Sequence, residues 1–195
     1  MEIVLIYLFM GALAAYALYL TFRGRNLGII EPTIGFLNVG GDSFVPLVEQ
    51  DRTALGPLFA KIEMATGYQI PKCSVLFIYA DVAPDGSLGL GGNITLRHLA
   101  ERAGALIAVL ASNNSSEQTV AATKFPGPKR ANLVWTIDRK GEAFSRFFKE
   151  LFTRMKAGTA MPKAWVAISP QYRHDAHHDL PVTVCQLEAG QVRFW

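Results

Sequence analysis

Two unbroken apolar runs, "VLFIYA" at 75–80 and "ALIAVLA" at 105–111, most constrain what this chain can fold into. Both have the length of strands rather than helices, and no polar residue alternates with the apolar ones. Strands of that kind are buried on both faces, which places them inside a mostly parallel sheet with helices on both faces. The second run stops at Ser112 and Asn113 and gives way to small polar residues as far as Gln118. In open α/β sheets, ligands sit in the crevice beyond the carboxyl ends of the strands, so this segment marks the expected site.

The surrounding segments fit an α/β fold. "TIGFLNVGG" reads as an earlier strand ending in two glycines, and "RTALGPLFAKIEMATG" as a helix stopped by Gly67. Pro84, Asp85 and Gly86 are turn chemistry, "SLGLGG" suggests a small hairpin, and Thr95 is placed to cap a helix "LRHLAERAG" that Gly104 ends. "ANLVWTI" is a fourth strand, after a loop broken by Pro126, Gly127 and Pro128. "GEAFSRFFKELFTRMKAG" sets Phe144, Phe147, Phe148, Leu151, Phe152 and Met155 on one helical face, a core stripe. "MPKAWVAIS" is a short helix, and "PVTVCQLEAGQVRFW" two strands joined around Gly190.

The N-terminus differs from the rest, because no charged side chain occurs from Ile3 to Phe22. Twenty helical residues span about 30 Å, the thickness of a bilayer's hydrocarbon core. A cleaved signal peptide would bring a basic start and a shorter apolar region. Here the start is Glu2, and Tyr16 and Tyr19 interrupt the small residues. A buried core helix is the other reading, and the all-round apolar character and terminal position favour the membrane. Residues 1–22 are therefore expected to form one transmembrane helix, with the lipid bilayer as partner of residues 3–22, 23–33 a connector, and 34–195 one α/β domain. Arg23 and Arg25 put the domain on the cytoplasmic side of a single-pass inner-membrane protein. Gly11, Ala14 and Ala15 offer a small-residue face for a homo- or hetero-oligomer of membrane helices.

Charge and cysteines narrow the function classes. The net charge is +3 with scattered basic residues, and "KFPGPKR" is the one cluster, so no nucleic-acid footprint is evident. Cys73 and Cys185 lie among apolar neighbours, as buried reduced thiols do. "NVGGD" and "GLGG" lack the strand, glycine and helix grammar of phosphate loops. His174, His177 and His178, with Asp175 and Asp179, are a weak metal-ligand candidate without ordered spacing, and His98 reads as a structural helix residue. No cofactor is expected.

Several segments resemble the CHAT family of the caspase-like cysteine peptidase clan. "ANLVWTIDRKGEAFSRFFKELFTRMKAG" is similar to the family's strand ending in Trp and its Phe-pair helix, "MPKAWVAISPQ" to its short Ala-rich helix, and "LPVTVCQLEAG" to its final strand. "SVLFIYADVAPDGSLGL" resembles the strand and turn around the family's catalytic histidine. The resemblance covers about residues 70–195 and implies a caspase-like three-layer sandwich. It also implies a His-Gly at one strand end and a Cys nucleophile at the next. The matching positions here hold Asp81 with Val82, and Asn113.

Neither replacement preserves the chemistry. An amide nitrogen is a poor nucleophile, and Ser112 or Ser115 would need a base that the matching segment does not supply. The expectation is a degenerate, non-cleaving module in which Asp81, Asp85, Ser112, Asn113, Asn114 and Ser115 are candidate contacts to a protein, peptide or small signal. The resemblance implies settings such as bacterial signalling or defence. Two readings from other classes stand beside it: a Rossmann-like sensor or enzyme for a nucleotide or anionic ligand, and a structural subunit of a membrane complex.

Overall fold

The computed structural model describes residues 26–29, 31–88, 94–139, 141–172 and 182–195. Strands β1 (Asn26–Ile29), β2 (Thr33–Asn38), β3 (Lys61–Thr66), β4 (Val75–Tyr79), β5 (Ile107–Leu110), β6 (Asn132–Asp138), β7 (Val182–Leu187) and β8 (Gln191–Phe194) alternate with helices. The helices are α1 (Val45–Leu55), α2 (Leu96–Ala103), α3 (Ser116–Lys124), α4 (Gly141–Lys156) and α5 (Met161–Ile168). Six strands form the central sheet in the order β3-β2-β4-β5-β6-β7, parallel except for β7, which runs antiparallel to β6.

The unbroken apolar character of the central strands has its cause in this layering. Val75, Phe77 and Tyr79 of β4 enter one core with Ile107 and Val109 of β5 and the Phe stripe of α4. Leu76 and Ile78 enter a second core with Ala108, Leu110 and the apolar side of α2. Successive strand side chains point to opposite faces, so a strand covered on both sides needs every position apolar. The mostly parallel α/β sheet with helices on both faces is thus as the sequence indicates.

Connections from β2 and β4 diverge. The chain leaves β2 through α1 toward the β3 edge, and leaves β4 through α2 toward β5, with α1 and α2 on opposite faces. Right-handed crossovers moving in opposite directions across a sheet must use opposite faces. Their divergence opens the crevice at the carboxyl ends of the strands.

Three local expectations are corrected. The segment read as one helix over 52–67 is the end of α1 followed by strand β3. Pro57 has no N–H for the carbonyl of Thr53, and "KIEMAT" finds its hydrogen bonds alongside β2. Residues 116–124, read as part of a loop, form α3. Within the expected connector, Asn26–Ile29 is a strand paired in parallel with β8, so β7 and β8 belong to different sheets.

The caps expected for α2 are present: Thr95 Oγ1 accepts from His98 N at 3.3 Å, and Gly104 closes the helix at φ +76°. Among the described residues no helix is long and apolar enough to cross a membrane. The span expected over residues 3–22 lies outside the described residues.

Candidate functional site

β4 and β5 run side by side in parallel with Ile78 level with Leu110. Their association continues beyond the strands: Ala111 N donates to Ile78 O at 2.8 Å, and Ser112 Oγ donates to Ala80 O at 2.6 Å. Asp81 and Asn113 therefore follow adjacent strand ends at equivalent positions, and both are exposed. The sequence-derived residues Asp81, Ser112, Asn113, Asn114 and Ser115 do come together at one end of the sheet.

Most of these side chains already have structural tasks. Asn113 Oδ1 accepts the backbone N–H of Arg139 at 2.6 Å, tying the end of β5 to the residue after β6. Asn114 is buried, and its Nδ2 donates to Ser112 O and Thr136 O, both at 2.8 Å. Ser115 opens α3 with a reciprocal capping box: its Oγ accepts from Gln118 N, and its own N–H donates to Gln118 Oε1. Gln118 also donates through Nε2 to Val82 O, which fastens α3 to the segment after β4. Replacing Ser115 with alanine is expected to lower stability by about 1 kcal/mol in urea unfolding, the usual loss for an N-cap.

Asp85 organises the turn after β4. Its Oδ1 accepts from the N–H and the hydroxyl of Ser87 at 2.9 and 2.7 Å, and these bonds hold its carboxyl below the usual carboxylate range. Gly86 lies under α3 at φ +87°, where an added Cβ would stand 2.3 Å from Ala122 N. Only glycine fits both the backbone angle and the contact.

Beneath the site lies a buried polar network that the sequence analysis did not identify. Asp51 of α1 is fully buried, and Arg139 grips its carboxylate with two hydrogen bonds of 2.8 Å. The same carboxylate accepts from Tyr79 OH and Ser145 Oγ, each at 2.6 Å. The guanidinium also lies 4.0 Å over the ring of Phe144. α1, the carboxyl end of β4, the loop after β6 and α4 are thereby locked together below Asn113. Tyr79 titrates well above the ordinary tyrosine range, first because it is buried and then because of Asp51's charge.

The nucleophile candidates elsewhere do not reach this site. Both cysteines are free thiols: Cys73 precedes β4 at the amino end of the strand and is buried as expected, whereas Cys185, within the edge strand β7, is only half-buried. Burial pushes each of them up to about 12 from an ordinary 9.0, so both remain neutral at physiological pH. A thiol that resists ionisation in the folded state adds stability that is complete below pH 9 and falls away as the pH rises toward 12. The urea midpoint is thus expected to drop between pH 7.5 and 10.5; an unchanged midpoint contradicts the burial of these groups.

His98 is exposed on α2, 3.1 Å from Thr95 Oγ1 through Nδ1. Among the described residues no cluster of three or more His, Cys, Asp or Glu side chains is placed to hold a metal. His174, His177 and His178 lie outside the described residues.

No protein-family model and no curated sequence matches the chain. Among solved structures, the chain is similar to drICE, a caspase, with a TM-score of 0.47 and 10% identity over 88% of this chain and 92% of that one. A likeness at this level transfers no chemistry.

The missed network left a partial trace in the sequence. Val48, Asp51 and Leu55 are the buried positions of α1, so Asp51 is a carboxylate set into an apolar stripe. Such a residue needs a cation, but nothing in the local pattern points to Arg139. The helix after Asn114 had a clearer signal, since Ser115 and Gln118 have capping-box spacing.

Proposed function

We propose that the chain is a membrane-anchored, catalytically degenerate caspase-like module. In this reading the crevice beyond β4 and β5 binds a protein, peptide or small signal at the cytoplasmic membrane face without cleaving it. The observation that carries it is the fate of the position matching the resembled family's nucleophile. Asn113 there has an amide oxygen bound to Arg139 N, and the exposed Asp81 follows the neighbouring strand. An amide fixed in this way can present its Nδ2 donor to a ligand beside a carboxylate acceptor.

Supporting features are the thiols, neutral and away from Asn113, and the loops fastened by Ser112, Asn114 and Ser115. A rigid, hydrogen-bonded rim favours recognition, since little ordering remains to be done when a ligand arrives. The uncharged run from Ile3 to Phe22, with Arg23 and Arg25 after it, supports the anchor and its orientation.

The anchor is tested by expressing the full chain in bacteria and washing the membranes with alkaline carbonate. Retention in the membrane, with the domain digested by protease only in inverted vesicles, is the expected result, and release by carbonate contradicts it. The crevice is tested by thermal shift of the full chain with a nucleotide panel. Unchanged melting supports partner binding, whereas a saturable shift lost in Asn113→Leu would assign the crevice to a nucleotide sensor instead.

A further inference from the structure

The far edge of the sheet carries a separate feature. Among the described residues β3 pairs only with β2, which leaves its outer backbone groups without a described strand beside them. Such an edge is a template for another extended chain. Charged edges resist that pairing, and Lys61 and Glu63 form an ion pair on one face of this strand; the opposite face is apolar and exposes Ile62 at 41% and Met64 at 48%, with Val45 of α1 at 46% close to the end of the strand. The register places Ile62 level with Ile34 and Met64 level with Phe36, which sets both on the α1 side of the sheet.

At the carboxyl end of this edge is a cavity of about 240 Å³ lined by Asn38, Val45, Val48, Glu49, Met64 and Thr66, among others. It is smaller than a typical pocket for a free small molecule and suits one long side chain. Asn38 is 8% exposed, and its orientation is defined because Nδ2 donates to Gly41 O at 2.8 Å. Oδ1 is consequently a buried acceptor without a partner among the described residues. An unsatisfied buried acceptor is costly, so a donor that opens the cavity wall far enough to reach Oδ1 recovers what folding left unmade.

The cavity wall gives that donor its character. Glu49 takes two bonds from Arg52, both on Oε2, so Oε1 is available as a second acceptor. Val45, Val48 and Met64 supply an apolar wall for an aliphatic stem. A lysine ammonium has donors only, carried on four methylenes, and fits acceptors placed beyond an apolar wall.

We propose that β3 is a docking edge for an extended polypeptide segment that adds a strand to the sheet and inserts a lysine side chain into the Asn38 cavity. Main-chain pairing supplies the affinity, and the cavity supplies the selection among side chains. This surface is separated from β4 by β2 and does not depend on the role of the Asn113 crevice.

The test uses the detergent-solubilised full chain and a fluorescent, amidated heptapeptide that alternates threonine and valine around a central lysine. Its counterparts carry norleucine or glutamate at the centre. Anisotropy is expected to show saturable binding of the lysine peptide, about tenfold tighter than norleucine, as one charge-assisted hydrogen bond provides, and no binding of glutamate. Glu49→Gln, on an exposed side chain, is expected to shrink the lysine preference while leaving norleucine binding in place. Asn38→Leu is expected to erase the preference. Equal affinity for lysine and norleucine overturns the proposal. So does efficient disulfide formation between two Ile62→Cys chains with no peptide binding, which would assign the edge to a second copy.

Discussion

Replacing Asp51 with alanine is expected to destabilise the domain by about 3–5 kcal/mol, because it strands the guanidinium of Arg139 without its counter-ion. Arg139 is 7% exposed, and the other hydrogen bonds of its guanidinium, to Ala111 O and Gln50 Oε1, are long at 3.3 Å. The substitution also strands the hydroxyls of Tyr79 and Ser145, which donate to the same carboxylate. Equilibrium urea unfolding measures the loss. Arg139→Met alone is expected to lose a comparable amount, since Asp51 is then left buried without its cation. The double replacement Asp51→Leu with Arg139→Met is expected to be more stable than either single variant, because neither charge is left behind. A single-variant loss below about 1 kcal/mol would instead mark the pair as a solvent-screened surface bridge.

The second large effect is expected at Phe148. This fully buried ring of α4 stands 4.8 Å from Phe144, 5.2 Å from Phe77 and 5.9 Å from Phe152, centroid to centroid, and 6.3 Å from Trp165 of α5. Phe148→Ala opens a cavity in the core between α4 and the sheet and is expected to cost about 3–5 kcal/mol. Phe148→Leu refills much of that space and is expected to lose markedly less. A pair of equal losses would mean that the ring edges, rather than the filled volume, hold α4 on the sheet. Thermal or urea unfolding of the two variants separates these outcomes.

What could be read in the sequence follows from how far each signal travels along the chain. The double-faced burial of β4 and β5 is written in single uninterrupted runs, and the stripe of α4 in one helical period, so both were legible. β3 was not, because "KIEMAT" carries its pairing instructions in β2 and in the break imposed by Pro57. At the site, the end of β5 was legible because a polar residue follows directly on an apolar run. The Asp51 network was not, since its partners are brought together by α1, β4, the loop after β6 and α4. Asn113 shows the same limit within one residue: its position could be read, but its bond to Arg139 N depends on a chain segment 26 residues away.

The non-cleaving character of the Asn113 crevice is the central claim, and direct assay of turnover tests it most closely. Purified full chain would be incubated with a fluorogenic peptide library, a fluorophosphonate probe and iodoacetamide at neutral pH. The expected result is no peptide turnover, no fluorophosphonate label at Ser112 or Ser115, and alkylation of the buried Cys73 only after unfolding. Peptide turnover that is abolished by Asn113→Ala or Asp81→Ala would contradict it.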